Sequence, residues 1–230
     1  MNISGLQKMT LLDYPEKIAA TVFTGGCNFR CPFCHNASLV LYTDKAQNIS
    51  EEEFFNFLAK RKGLLDGVCI SGGEPLLQNE IGGFISKIKS FGFLVKLDTN
   101  GSYSSKLKEL VGNGLIDYVA MDIKNSPDGY AKTIGTAEEV LTQINESVAF
   151  LLADNVEYEF RTTVVKDFHS KEDFVAIGKW IQGARRYFLQ NFVDSGDLIQ
   201  PGLRGVETAE LAAFADNVRE YVPSVQIRGV

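Results

Sequence analysis

The sequence predicts an α/β fold with a mostly parallel sheet. Three observations point there: short β-branched and apolar runs, amphipathic stretches between them, and a regular alternation of the two. The strand candidates are Ile18–Thr24, Gly67–Ser71, Phe93–Asp98, Asp117–Ile123, Val156–Val165 and Arg186–Phe192, with Val225–Arg228 as a last short strand. Ser50-Glu51-Glu52-Glu53 has the S-x-x-E form of a capping box and opens a helix through about Lys62. Further helical patterns run near Leu77–Phe91, Ser104–Asn113, Thr136–Ala153, Ser170–Gln182 and Val206–Tyr221. Six strand–helix units are too few for a closed eight-unit barrel, which leaves an open doubly wound sheet or a partial, splayed barrel. In both, ligands sit outside the carboxyl ends of the strands. We read residues 1–230 as one domain, with a core over about 18–192 and extensions at 1–17 and 206–230.

Composition narrows the function classes. With 23 Lys and Arg against 29 Asp and Glu the chain carries a net charge of −6, which argues against a dedicated nucleic-acid surface. Its 45% hydrophobic content is enough for a real core. The first residues lack the basic start and long apolar stretch of a secretory signal, and no run of about 18 apolar residues exists, so a cytoplasmic protein with no membrane contact is expected.

Three of the four cysteines crowd into residues 27–34, while Cys69 stands alone inside a strand candidate. Clustered thiols in a reducing compartment read as a metal or redox site rather than a disulfide framework. Cys27, Cys31 and Cys34 have the spacing C-x3-C-x2-C on a loop opened by Gly25 and Gly26. Structural zinc wants four protein ligands, and a second pair is missing here. His35 follows Cys34 directly, a poor geometry for closing a tetrahedron. An iron–sulfur cube normally takes four thiolates, so three would leave one iron open to an outside ligand, which suits catalysis. Zinc and reduced structural thiols remain the alternatives at this point.

Other chemistry-bearing residues gather at the same strand ends. Ser71-Gly72-Gly73-Glu74-Pro75 follows the second strand, Asp98-Thr99-Asn100-Gly101 ends the third, and Met121-Asp122-Ile123-Lys124 ends the fourth. The fifth strand carries Arg161 and the sixth Gln190. Chance would scatter such residues over both ends of a sheet.

With this pattern the chain resembles the radical S-adenosylmethionine enzymes. The resemblance implies a (βα)₆ partial barrel and a [4Fe–4S] cluster on Cys27, Cys31 and Cys34. It also implies S-adenosylmethionine on the fourth iron, cleaved on reduction to a 5′-deoxyadenosyl radical. Gly72-Gly73-Glu74 matches the family's GGE motif, which receives the methionyl ammonium, and Phe33 matches the aromatic position near the adenine. Cofactor contacts are thereby also expected at Asp98 and Asn100. The Cys34-His35-Asn36 run, with the Asp98 and Met121 segments, resembles the glycyl-radical-enzyme activating branch. There Asp98, Thr99, Met121 and Asp122 would help hold a monovalent cation; the bland reading has Asp98 capping its turn and Asp122 paired with Lys124. Lys124 and Arg161 are the expected partners of the cofactor carboxylate, although Arg161 could instead pair with Glu157 or Glu159 two and four residues away. Gln190 is a candidate ribose or adenine contact. His35 is read as setting the cluster loop, and His169 as a solvated loop residue.

Gly5-Leu6-Gln7-Lys8, Leu12-Asp13-Tyr14-Pro15 and Val225-Gln226-Ile227-Arg228-Gly229 resemble activating proteins of anaerobic ribonucleoside-triphosphate reductase. The expected activity is abstraction of a glycine Cα hydrogen on a partner glycyl radical enzyme, with flavodoxin or ferredoxin as electron donor. Pyruvate formate-lyase or another glycyl radical enzyme is the alternative partner. Radical chemistry on a small molecule, or a non-catalytic electron-transfer module, are the alternative functions.

Overall fold

A computed structural model of the chain describes residues 1–41, 49–136 and 140–229. Its strands are β1 Ile3–Thr10, β2 Ala19–Thr24, β3 Gly67–Gly72, β4 Leu94–Thr99, β5 Tyr118–Asp122, β6 Glu157–Val164, β7 Tyr187–Asn191 and β8 Val225–Arg228. β1 is antiparallel to β2, and the pairs β2–β3, β3–β4, β6–β7 and β7–β8 are parallel. The expected α/β fold with a mostly parallel sheet is the one observed. The helices are α1 Ala37–Leu41, α2 Glu51–Ala59, α3 Ile81–Ser90, α4 Ser104–Gly112, α5 Tyr130–Ile134, α6 Leu141–Leu152, α7 Lys171–Trp180 and α8 Thr208–Arg219. The pattern expected to begin at Thr136 becomes helical at Leu141, and residues 137–139 of it lie outside the described residues. No helix among the described residues is long and apolar enough to cross a membrane.

The chain divides into two compact units. The first comprises Met1–Asn28, Ser38–Thr99 and Tyr103–Val119; the second comprises Phe29–Ala37, Asn100–Ser102 and Ala120–Val230. In the first unit, Ser50 and Glu53 complete the capping box that the sequence announced, which fixes where α2 starts. Phe54 and Phe55 of α2 then pack on Phe84 of α3, with ring centroids 5.2 and 5.3 Å apart, and so seat both helices on one apolar layer. Tyr14 packs with Ala19, Leu94 and Tyr118, and its ring passes so close to Gly67 that a Cβ there would stand only 3.0 Å from it.

β1 was not anticipated. Its own residues are poor strand formers: Gly5 is there, and Gln7, Lys8 and Met9 are exposed. The antiparallel partner β2 and a bridge from Ile3 to Ile49 supply what local propensity does not. A lysine on an edge strand also discourages pairing with another chain.

In the second unit α7 packs on α8 through stacked Phe174 and Phe214, 4.6 Å apart. Ser170 caps α7 and Asp173 completes its capping box. α5 leans its Tyr130 edge-on against Trp180 of α7, at 5.8 Å.

Candidate active site

Both units contribute residues that the sequence singled out. In the first unit the chain leaves β2 through Gly25-Gly26-Cys27 and leaves β3 through Gly72-Gly73-Glu74. These two turns are stitched by main-chain bonds: Gly73 N–H donates to Thr24 O at 2.9 Å, and Glu74 N–H donates to Gly26 O at 2.8 Å. Gly72 adopts φ +112°, a conformation that favours glycine. A Cβ on Gly73 would collide with the Gly26 carbonyl. The cluster loop and the GGE turn can lie this close because both are bare backbone.

Glu74 is fully buried. Its Oε1 accepts Leu76 N–H at 3.0 Å and Thr99 Oγ1–H at 2.9 Å, so the carboxylate also caps the short helical turn Pro75–Leu77. Sequence reasoning missed three supports of these turns. Gln78 Nε2 donates to Gly25 O at 2.8 Å, and Lys106 Nζ donates to Leu76 O at 2.7 Å. Lys96 forms an ion pair with Asp98, whose Oδ2 also accepts Ser71 Oγ–H at 3.0 Å. Gln78 and Lys106 carry no local signal, because both act on residues more than twenty positions away in the chain or in another element.

In the second unit Cys31 and Cys34 open a tight turn, with Cys34 N–H donating to Cys31 O at 3.0 Å. Phe33 is buried and packs edge-on against Phe168 at 5.6 Å, beneath its loop. His35 stacks on Phe192 at 5.2 Å, and its Nε2 lies 2.9 Å from Val193 O, which ties the loop to the segment after β7. Burial holds the His35 imidazole below the usual histidine range.

Asp122 closes β5 as a charged hub. Its Oδ1 accepts Arg161 Nε–H at 3.0 Å and its Oδ2 accepts Lys124 Nζ–H at 2.9 Å. Burial works against the Asp122 carboxylate, but the two cations outweigh it and hold its pKa at about 2. Burial also works against the Lys124 ammonium, yet Asp122 and Cys31 keep it well above the ordinary lysine value. One carboxylate holds two cationic side chains at the end of its strand. Arg161 thus pairs with Asp122, while Glu157 goes to Arg185 and Arg186 and Glu159 to Arg228.

Asn100 uses its Oδ1 to accept the Ser102 N–H at 2.9 Å and hydroxyl at 2.6 Å, which shapes the turn after β4. Met121 is buried, and a Cβ on Gly101 would overlap its side chain. Gln190 is exposed near the end of β7.

His169 corrects an expectation. Far from solvated, it is 6% exposed, with Nε2 2.9 Å from Lys124 O and Nδ1 accepting Val165 N–H at 3.1 Å. The sequence shows a polar run, Lys166-Asp167-Phe168-His169-Ser170, and hides that α7 caps over it. Burial lowers the His169 pKa. A depressed folded-state pKa gives stability that is full above the unfolded value of about 6.5 and is lost as pH falls through the folded one. Urea midpoints should therefore fall between pH 7.5 and 5.5, and His169→Gln should flatten that slope.

The cysteine set fits an iron–sulfur cluster in its chemistry. All four cysteines are free thiols; Cys27 and Cys34 are half-buried and Cys31 buried. Burial above all raises the Cys34 thiol, so it holds its proton until a metal displaces it. Cys27 belongs to the first unit and Cys31 and Cys34 to the second, joined by three intervening residues. Among the described residues no three His, Cys, Asp or Glu side chains are gathered as a ready metal cage.

Comparison with known proteins agrees with this chemistry. Residues 21–177 match the Radical SAM superfamily. A Methanocaldococcus jannaschii protein assigned as a glycyl-radical enzyme activating enzyme is 34% identical over 99% of this chain and 96% of its own. The pyruvate formate-lyase-activating enzyme of Clostridium pasteurianum is 34% identical over 56% of this chain and 55% of its own. Among solved structures, Streptococcus suis SuiB bound to its precursor peptide SuiA superposes with TM-score 0.71 at 14% identity, over 91% of this chain and 48% of SuiB. The enzyme anSMEcpe with bound AdoMet gives 0.63 at 16% identity, over 86% of this chain and 58% of that one. These two share the fold. By its matched residues and its full-length relative, the chain belongs to the radical SAM superfamily, within its glycyl-radical enzyme activating enzymes.

Proposed function

We propose that this activating enzyme serves anaerobic ribonucleoside-triphosphate reductase, with a reduced flavodoxin or ferredoxin as electron donor. The observation that carries the activase reading is similarity along nearly the whole of both chains to a protein assigned as a glycyl-radical enzyme activating enzyme. The choice of reductase rests on the resemblance of Gly5-Leu6-Gln7-Lys8, Leu12-Asp13-Tyr14-Pro15 and Val225-Gln226-Ile227-Arg228-Gly229.

The superfamily works with a [4Fe–4S] cluster and S-adenosylmethionine. Cys27, Cys31 and Cys34 would hold the cluster and leave one iron for the cofactor. When bound and reduced, the pair supplies the 5′-deoxyadenosyl radical that takes a Cα hydrogen from the partner's glycine. The chain's own residues bind and orient. The Gly26–Gly73 approach brings bare backbone to the methionyl group, and Glu74 gives that turn its negative charge. Lys124 and Arg161, two cationic side chains gathered at the end of β5 and on β6, attract the carboxylate of S-adenosylmethionine. Asp122 fixes both cations in place, and His169 holds the Lys124 backbone from behind.

Mixing the reconstituted, reduced protein and S-adenosylmethionine with candidate partners decides the matter. A glycyl radical signal by electron paramagnetic resonance is expected with anaerobic ribonucleoside-triphosphate reductase. A signal with pyruvate formate-lyase alone would move the assignment to that partner. No signal with any glycyl radical enzyme, while 5′-deoxyadenosine still forms, would sink the activase role.

A further inference from the structure

We propose that Lys96 supplies, from within the chain, the positive charge that a bound monovalent cation would bring to Asp98. The enzyme then binds its cofactor without any such ion. This rests on the site reading above and reverses the cation site implied by resemblance.

Lys96 lies in the middle of β4 and is 1% exposed. Lysine is almost never buried so completely unless paired, because taking an ammonium out of water carries a desolvation cost that a counter-charge must offset. In a strand, residues two apart share a face, so Lys96 and Asp98 point the same way. Cys69 is the residue directly opposite Lys96 on β3, and its Sγ lies 3.8 Å from Nζ. Both Asp98 oxygens are engaged: Oδ1 meets the ammonium, and Oδ2 accepts the Ser71 hydroxyl. The neighbouring Thr99 hydroxyl is turned to Glu74.

The other unit shows the same economy independently. There Asp122 has Arg161 on one oxygen and Lys124 on the other. Each carboxylate that would ligate an ion is thus matched by a cationic side chain of its own unit. An ammonium carries the same single charge as sodium or potassium and makes the same kind of contact with oxygen. A metal ion brought to Asp98 would have to displace the buried ammonium or face it as a like charge.

The test compares cluster-loaded wild type and Lys96→Met in NaCl, KCl or tetramethylammonium chloride at one ionic strength. S-adenosylmethionine affinity is read by anaerobic equilibrium dialysis, and melting temperature is read alongside. Wild-type affinity should differ by less than about twofold among the salts, whereas Lys96→Met should bind at least about tenfold more tightly in Na⁺ or K⁺ than in tetramethylammonium. A wild type that needs Na⁺ or K⁺ overturns the proposal, and so does a variant as indifferent to salt as the wild type. Should Lys96→Met not fold, the wild-type series decides alone. If S-adenosylmethionine binds in no salt, the site reading fails, and the melting temperatures still judge Lys96: equal for wild type, raised by Na⁺ or K⁺ for the variant.

Discussion

Replacing any one of Cys27, Cys31 or Cys34 with Ala should abolish the visible absorbance of the reconstituted cluster, while Cys69→Ala should keep it. Iron–sulfur cubes normally have four thiolates, and this loop offers three, so the set has none to spare. Each substitution should reduce bound iron to background, and 5′-deoxyadenosine formation should vanish with it. Cys69 is fully buried on β3, opposite Lys96, where it acts as a small packed side chain. Removing its sulfur should cost ~1 kcal/mol of stability through a small cavity and leave the iron count unchanged. Loss of the cluster in Cys69→Ala would show that the ligand set is wrong.

Gly73→Ala should be nearly as damaging without removing any ligand. The new methyl group would strike the Gly26 carbonyl, a backbone atom that cannot rotate away. Gly26 directly precedes Cys27, so relief of the clash moves the first cysteine. We expect a loss of about 3 kcal/mol in urea unfolding, together with poor cluster loading and no measurable binding of S-adenosylmethionine. Gly83→Ala is the control. Gly83 lies on the exposed side of α3 with nothing within 4 Å of a Cβ, and the change should stabilise the protein by ~0.5–1 kcal/mol. If Gly73→Ala behaved like Gly83→Ala, the close approach of the two turns would have no functional weight.

Most of the sheet was legible because its strands are continuous apolar runs, which local periodicity picks out. β3 through β8 begin and end within about two residues of the expected bounds. β1, α1 and α5 were not legible. α1 and α5 have five residues each, too few for a periodic signal, and β1 depends on its partners. Around the candidate site, Cys27, Cys31, Cys34 and Gly73 lie in turns that follow strands and Asp122 ends β5, placements that motif position alone makes legible. Those that act through tertiary contacts were misread or missed, as His169 and Gln78 show. Lys96 did leave a trace. Two opposite charges two residues apart in the apolar run Leu94–Thr99 must share a face, and a strand that buries one must answer its charge with the other.

The stitch between the two turns also bears on how this sequence can drift. Mutation to any residue but proline rewrites the side chain and leaves the amide in place, so the bonds from Gly73 to Thr24 and from Glu74 to Gly26 depend on space rather than on side-chain chemistry. Thr24 could change without touching the bond its carbonyl makes. Gly73 could not, because there the barrier is volume alone. Random libraries of this region should therefore return glycine at 73, where volume is the barrier, and at 26, where φ is +86°, two constraints that no ranking of residues by chemistry would foretell.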